Sequence, residues 1–133
     1  MHRGYLKAGV LFAALAVMLG AFAAHAIKSR VSAEALSVFE TGVRYQMYHS
    51  FALILTGILY KSFPFKIIEW AGRLFISGII LFSASLYLLT YFKAIENANM
   101  FWLGAVTPLG GVCFIVAWGF LFKGILDKEK INE

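Results

Sequence analysis

The stretch AGVLFAALAVMLGAFAAHAI, Ala8–Ile27, holds twenty residues and no Asp, Glu, Lys or Arg. A helix rising 1.5 Å per residue needs about 20 mostly apolar residues to cross a bilayer core of about 30 Å. This stretch meets that need alone. The rest of the chain agrees with it: of 133 residues, 61% are hydrophobic, 17% aromatic and 14% charged. Soluble domains run at about 45–50% apolar and about 25% charged. So small a chain has too little interior to hide that much hydrocarbon from water. A water-soluble monomer and a disordered chain are both excluded.

Three more stretches follow. The second is richest at Met47–Tyr60 and must begin near Gly42 to reach the other face. The third is Leu74–Phe92 and the fourth Met100–Phe122, both without formal charge. A transmembrane barrel would alternate polar and apolar residues, and Ile79-Ile80-Leu81-Phe82 does not. Helices are the remaining way to satisfy the backbone in lipid. The connections Lys61–Lys66, broken by Pro64, and Lys93–Asn99, with Asn97 and Asn99, are short. Short connections make neighbours antiparallel. The expectation is a single all-α domain over 1–133. It is an integral membrane four-helix up-down bundle with spans near 8–27, 42–60, 74–92 and 100–122 and a polar, fraying tail over 123–133.

Lys28–Thr41 is different. Val31, Leu36, Phe39 and Val43 recur at helical spacing with Glu34 and Glu40 between them. This reads as an amphipathic interfacial segment between the first two spans, or as a water-side extension of the second. Ser32 fits a helix cap, and Ser37-Val38-Phe39-Glu40 fits a capping box five residues later. The pattern allows either start. Glu40–Arg44 and Glu69–Arg73 are each spaced as i,i+4 pairs at a membrane boundary.

Lys and Arg gather on the cytoplasmic side of short-looped membrane proteins. With four spans, Arg3, Lys7, Lys61, Lys66, Arg73, Lys123, Lys128 and Lys130 share one side. Lys28, Arg30, Arg44 and Lys93 share the other. The predicted placement is a plasma (inner) membrane with both termini cytoplasmic, and the net charge of +5 reads as contact with anionic lipid. No basic stripe interleaved with aromatics occurs in a soluble segment, so nucleic acid is not an expected partner. Met1–Lys7 with Ala24-His25-Ala26 imitates a secretory signal and cleavage site. The apolar run is longer than the 7–15 residues typical of a signal peptide, so retention is the expectation. Gly9, Ala13, Ala16, Gly20 and Ala24 form a small-residue face suited to close helix contact. It reads as internal packing, with other membrane proteins or a second copy as alternative partners.

Ionisable groups within a bilayer are costly and turn inward. His25 lies near the outer end of the first span and His49 near mid-depth of the second, with Tyr45 one turn away. Gln46 and Thr56 share part of that face. Ser83, Ser85 and Tyr87 lie in the outer half of the third span. Thr107 lies about 10 Å inside the outer end of the fourth by helical rise. Polar groups from all four helices thus converge on the outer half. One reading makes them interhelical hydrogen bonds, each contributing on the order of 1 kcal/mol or less. The other makes His25, Arg44, Tyr45, His49 and Thr107 a polar pocket that binds a small ligand or relays protons, since imidazole titrates near pH 6.5. Two histidines can be ligands, but no third inward Asp, Glu or Cys stands at that depth, so no metal is expected. The single Cys113 reads as packing. Pro108 is expected to kink or locally unwind the fourth helix. No GxSxG, P-loop, HExxH or GxGxxG is present, no cofactor is called for, and no catalytic residues can be named.

Three blocks carry a resemblance: Gly20-Ala21-Phe22-Ala23-Ala24-His25-Ala26; Phe39-Glu40-Thr41-Gly42-Val43-Arg44-Tyr45-Gln46-Met47-Tyr48-His49; and Thr107-Pro108-Leu109-Gly110-Gly111 with Ala117-Trp118. In them the chain resembles the YgdD-like small inner-membrane proteins, a family of unknown function. That pattern more often has Gly where Ala23 stands. The resemblance implies a four-span membrane protein without a cleaved signal, and it implies no reaction, ligand or catalytic residue. The function expected is that of a non-enzymatic structural or accessory membrane protein, the alternative being a minimal transporter or proton-linked ligand binder.

Overall fold

The computed structural model describes residues 1–95 and 102–132, with 128–132 as backbone alone. Among these residues all regular structure is helical. Helix α1 spans Arg3–Phe22 and continues into a π-helical turn, Ala23–Ile27. Helix α2 spans Ala33–Leu59. Helix α3, Lys66–Gly78, a π-helical segment, Ile79–Ala84, and helix α4, Ser85–Ala94, form one continuous rod. Helix α5 spans Leu103–Asn132. The expected loop residues Asn97 and Asn99, and Met100 at the expected start of the last span, lie outside the described residues.

The chain is a helical membrane bundle. Three rods are long and apolar enough to cross a bilayer: Arg3–Ile27, Lys66–Ala94 and Leu103–Asp127. Their outward faces are hydrocarbon. Val17, Met18, Phe22, Ile80, Ile115 and Phe122 are all more than half exposed. Water would not tolerate such a continuous girdle, whereas lipid favours it. The interior is also apolar, with Leu53, Ile68, Ala71, Phe75 and Ala117 almost completely buried.

Helix α2 is the more polar rod because it lies between the others. Its own apolar run is short, but it buries Gln46, His49, Ser50 and Thr56. It runs antiparallel to α1 along nearly the whole length. A Cβ added to Gly57 would meet Leu6, one on Gly9 would meet Ile54 and the Ser50 carbonyl, and one on Gly20 would approach Val43. The α3–α4 rod and α5 form a second antiparallel seam. There a Cβ on Gly124 would collide with Ile68, on Gly78 with Phe114, and on Gly110 with the Phe82 backbone. Both seams depend on small residues that let backbones approach.

The structure decides two alternatives that the sequence left open and changes two further details. The segment after the first span is not a separate interfacial helix. After a turn at Lys28–Arg30 it enters α2 directly, and the Ser32 hydroxyl caps it by accepting the Ala35 N–H at 3.2 Å. The capping box at Ser37 is not used, because the cap five residues earlier already satisfies a first-turn donor. Pro108 leaves α5 unbroken. It stands in the second turn, where the lost bond frees only the carbonyl of exposed Gly104. The polar tail continues as helix to Asn132, since Leu121 and Gly124 are still packed inside the bundle.

The i,i+4 ion pairs are also replaced. The Tyr60 hydroxyl donates to Glu69 Oε1 at 2.6 Å, and Arg73 lies 5.1 Å over the Trp70 ring. Arg44 donates to the Thr41 hydroxyl at 3.1 Å. Among the described residues the ion pair is Lys93–Glu34, 3.0 Å apart between the end of α4 and the start of α2.

Candidate functional site

The polar centre of the bundle is built on α2. Gln46 faces α1 and α4. Its Nε2 donates to the Phe12 carbonyl at 2.9 Å, and its Oε1 accepts from the Tyr87 hydroxyl at 2.8 Å. One side chain therefore joins three helices. Tyr87 can lie across α2 because residue 42 is glycine; a Cβ there would stand 2.8 Å from its ring. The Ser83 hydroxyl donates to the Gly42 carbonyl at 2.8 Å, and Thr90 donates to the Ala35 carbonyl at 3.2 Å. These bonds form a ladder between α2 and the α3–α4 rod. The π-helical segment carrying Ser83 adds a residue to one turn, which changes the angular position of the side chains after it.

His49 faces the other way, into an aromatic enclosure. Its ring lies nearly parallel to Phe114, with centroids 3.4 Å apart, and near Phe75 at 5.8 Å and Trp118 at 6.4 Å. Tyr45 stacks on Phe82 at 4.6 Å and reaches His49 at 5.9 Å. His49 Nδ1 lies 2.8 Å from the Tyr45 carbonyl. A carbonyl only accepts, so Nδ1 carries the ring proton of the neutral imidazole and Nε2 keeps a lone pair.

Of the five residues singled out from the sequence, Tyr45 and His49 are brought together. Arg44 is exposed and turned to Thr41. His25 is exposed in the π-helical turn after α1. Thr107 joins α5 to α4 through a 2.7 Å bond with the Ser85 hydroxyl. None of the five lines the cleft of about 450 Å³ that opens between α1 and the α3–α4 rod. Among the described residues, no group of three His, Cys, Asp or Glu could hold a metal ion.

The sequence reading missed a second polar centre at the opposite end of the bundle. The His2 N–H donates to the Gly57 carbonyl at 2.8 Å, and its ring stacks on Tyr5 at 3.9 Å. The Tyr5 hydroxyl donates to the Glu69 carbonyl at 2.8 Å, while Tyr60 takes the Glu69 carboxylate. A Cβ on Gly72 would collide with the Tyr5 ring. One signal was available: His2 directly precedes a helix start, and its Nδ1 accepts the Tyr5 N–H there. The long-range pairing of Tyr5 with Glu69 had no local signal.

The pattern of a family described as protein of unknown function, DUF423, matches residues 19–111. The chain belongs to this family. The DUF423 match covers Gln46, His49, Tyr87 and Gly110 and leaves out the His2–Tyr5 end. The chain is 41% identical to a UPF0382 membrane protein of Staphylococcus saprophyticus, over 90% of this chain and 94% of that one. It is also 41% identical to the UPF0382 membrane protein YwdK of Bacillus subtilis, over 86% of this chain and 89% of its relative. No solved structure matches. This DUF423 chain is thus an integral membrane protein of a family with no established biochemical role.

Proposed function

We propose that the protein is a non-enzymatic structural or accessory component of the plasma membrane, crossing it four times with both termini in the cytoplasm. The observation that carries this reading is the use of the buried polar groups. Gln46, Ser83, Ser85, Tyr87 and Thr90 are engaged in bonds between helices. Among the described residues no wholly buried side-chain oxygen or nitrogen lacks a partner. Groups that hold helices together in this way are not free for a reaction.

Packing supports the four-span reading. Helix α2 alone is marginal in apolar length, but it lies beside α1 from Gly57 against Leu6 to Val43 against Gly20. If α1 crosses the bilayer, α2 returns through it. This agrees with the four-span character that the YgdD-like resemblance implies, and the excess of Lys and Arg supports termini on the inside. Cysteines introduced at Ser29 and Lys61, in a Cys113→Ser background, test it. An impermeant maleimide applied to intact cells should label position 29 and not 61. Equal labelling at both overturns the topology.

A second reading is favoured by one observation: His49 Nδ1 lies 2.8 Å from the Tyr45 carbonyl, which in the neutral ring leaves Nε2 with a lone pair inside the bundle. In that reading His25, Arg44, Tyr45, His49 and Thr107 serve a proton-linked binder or transporter. Proteoliposomes carrying an internal pH dye separate the two. The structural reading expects proton leakage no greater than in protein-free vesicles. Leakage abolished by His49→Phe in an intact bundle would establish the second.

A further inference from the structure

The cleft between α1 and the α3–α4 rod does not end inside the bilayer. Its volume is about 450 Å³, and Phe12 and Leu15 line its deep end. At Phe22 and Tyr87 it adjoins a second cleft of about 370 Å³ that reaches Arg30. From Phe12 to Ile27 the groove follows about 22 Å of helix at 1.5 Å per residue. One leaflet of a bilayer core of about 30 Å is about 15 Å deep. The groove therefore runs from beyond the midplane to the head-group level. Its polar floor is closed, because Tyr87 and Gln46 are bonded to each other and to the Phe12 carbonyl. Such a floor offers no free hydrogen-bonding group to a polar ligand and suits a hydrocarbon chain.

The mouth has the opposite character. Arg30 is exposed in the turn before α2 and lines both the apolar groove and a polar recess of about 210 Å³ shared with Ser32 and Lys93. Lys93 is neutralised by Glu34. Among the described residues the Arg30 guanidinium has no hydrogen bond or ion pair of its own. An exposed guanidinium at head-group height that no other described residue pairs is complementary to a phosphate diester.

We propose that this groove is a binding site for one anionic phospholipid, with an acyl chain along α1 and the head-group phosphate on Arg30. The proposal rests on the membrane reading and adds a ligand to it. The test is native mass spectrometry of the delipidated, detergent-solubilised full chain. Phosphatidylglycerol and phosphatidylcholine with identical acyl chains are the probes. A basic residue near the head groups contributes about fivefold to anionic-lipid affinity. Phosphatidylglycerol should therefore bind roughly fivefold more tightly than phosphatidylcholine, and Arg30→Ala should remove that preference. Ala84→Phe, which fills the deep cleft, should weaken both lipids, and Lys61→Ala at the far end should change neither. Equal affinity for the two lipids, or a preference that survives Arg30→Ala, overturns the proposal. Arg30 is exposed, so that variant keeps its packing even if Ala84→Phe does not fold. Failure of the membrane reading would look different: the chain would stay in solution without detergent.

Discussion

Gln46 and His49 stand three residues apart on α2 and are almost equally buried, at 4% and 6% exposure. Their surroundings have little in common. Gln46 reaches across to α1 and α4 and joins three helices through two bonds. His49 keeps its hydrogen bond within its own helix and presents its ring to Phe114, Phe75 and Trp118. One position contributes directed bonds between helices, the other aromatic contact. A polar residue inside a bilayer therefore has no single meaning. Its role depends on which neighbour its face of the helix meets.

Four substitutions, with one control and one rescue, can break or sharpen this contrast, each read as thermal unfolding of the detergent-solubilised protein. The largest effect is expected at the seam beside the His49 enclosure. Gly110→Val would drive a branched side chain into the Phe82 backbone, and overpacking of this kind costs about 1–3 kcal/mol or more. Gly104→Ala, where a Cβ meets nothing within 4 Å, is the matched control and should leave Tm unchanged. A harmless Gly110→Val would mean that the aromatic side is loosely packed.

Next comes Gln46→Leu. It removes both interhelical bonds and strands the Tyr87 hydroxyl, a loss of about 1–2 kcal/mol. Tyr87→Phe in the Gln46→Leu background should recover part of the loss, because it deletes the stranded group. His49→Phe should cost less, below about 1 kcal/mol, since a phenyl ring keeps the stack and loses one local bond. If His49→Phe proves more damaging than Gln46→Leu, the assignment of roles is reversed. The smallest effect belongs to Glu34→Gln. The Glu34 side chain is 80% exposed in its pair with Lys93, and exposed pairs contribute little. No resolvable shift in Tm is expected, with or without added salt.

The two residues also mark the limit of what periodicity reveals. Tyr45 and His49 lie one turn apart, and their proximity could be read from spacing. Thr107 was grouped with them by helical rise, but its partner Ser85 comes from another helix. Arg44 and His25 were grouped with them by depth. Depth is set by the helical rise, whereas direction depends on how each rod is rotated, and the two π-helical segments alter that rotation. The aromatic enclosure, and the pairing of His2 and Tyr5 with residues near 57 and 69, join positions far apart in the chain. No local pattern encodes them.

Composition and uninterrupted apolar length determined the solvent and the helical class, because a backbone in lipid has few ways to satisfy its own polar groups. The glycines and polar residues were visible too. Which of them would meet was decided only by tertiary packing. Within lipid every apolar face is equally at ease, so the rotation of each rod follows from close backbone contact and a few directed hydrogen bonds. Those contacts exist only once the helices are side by side.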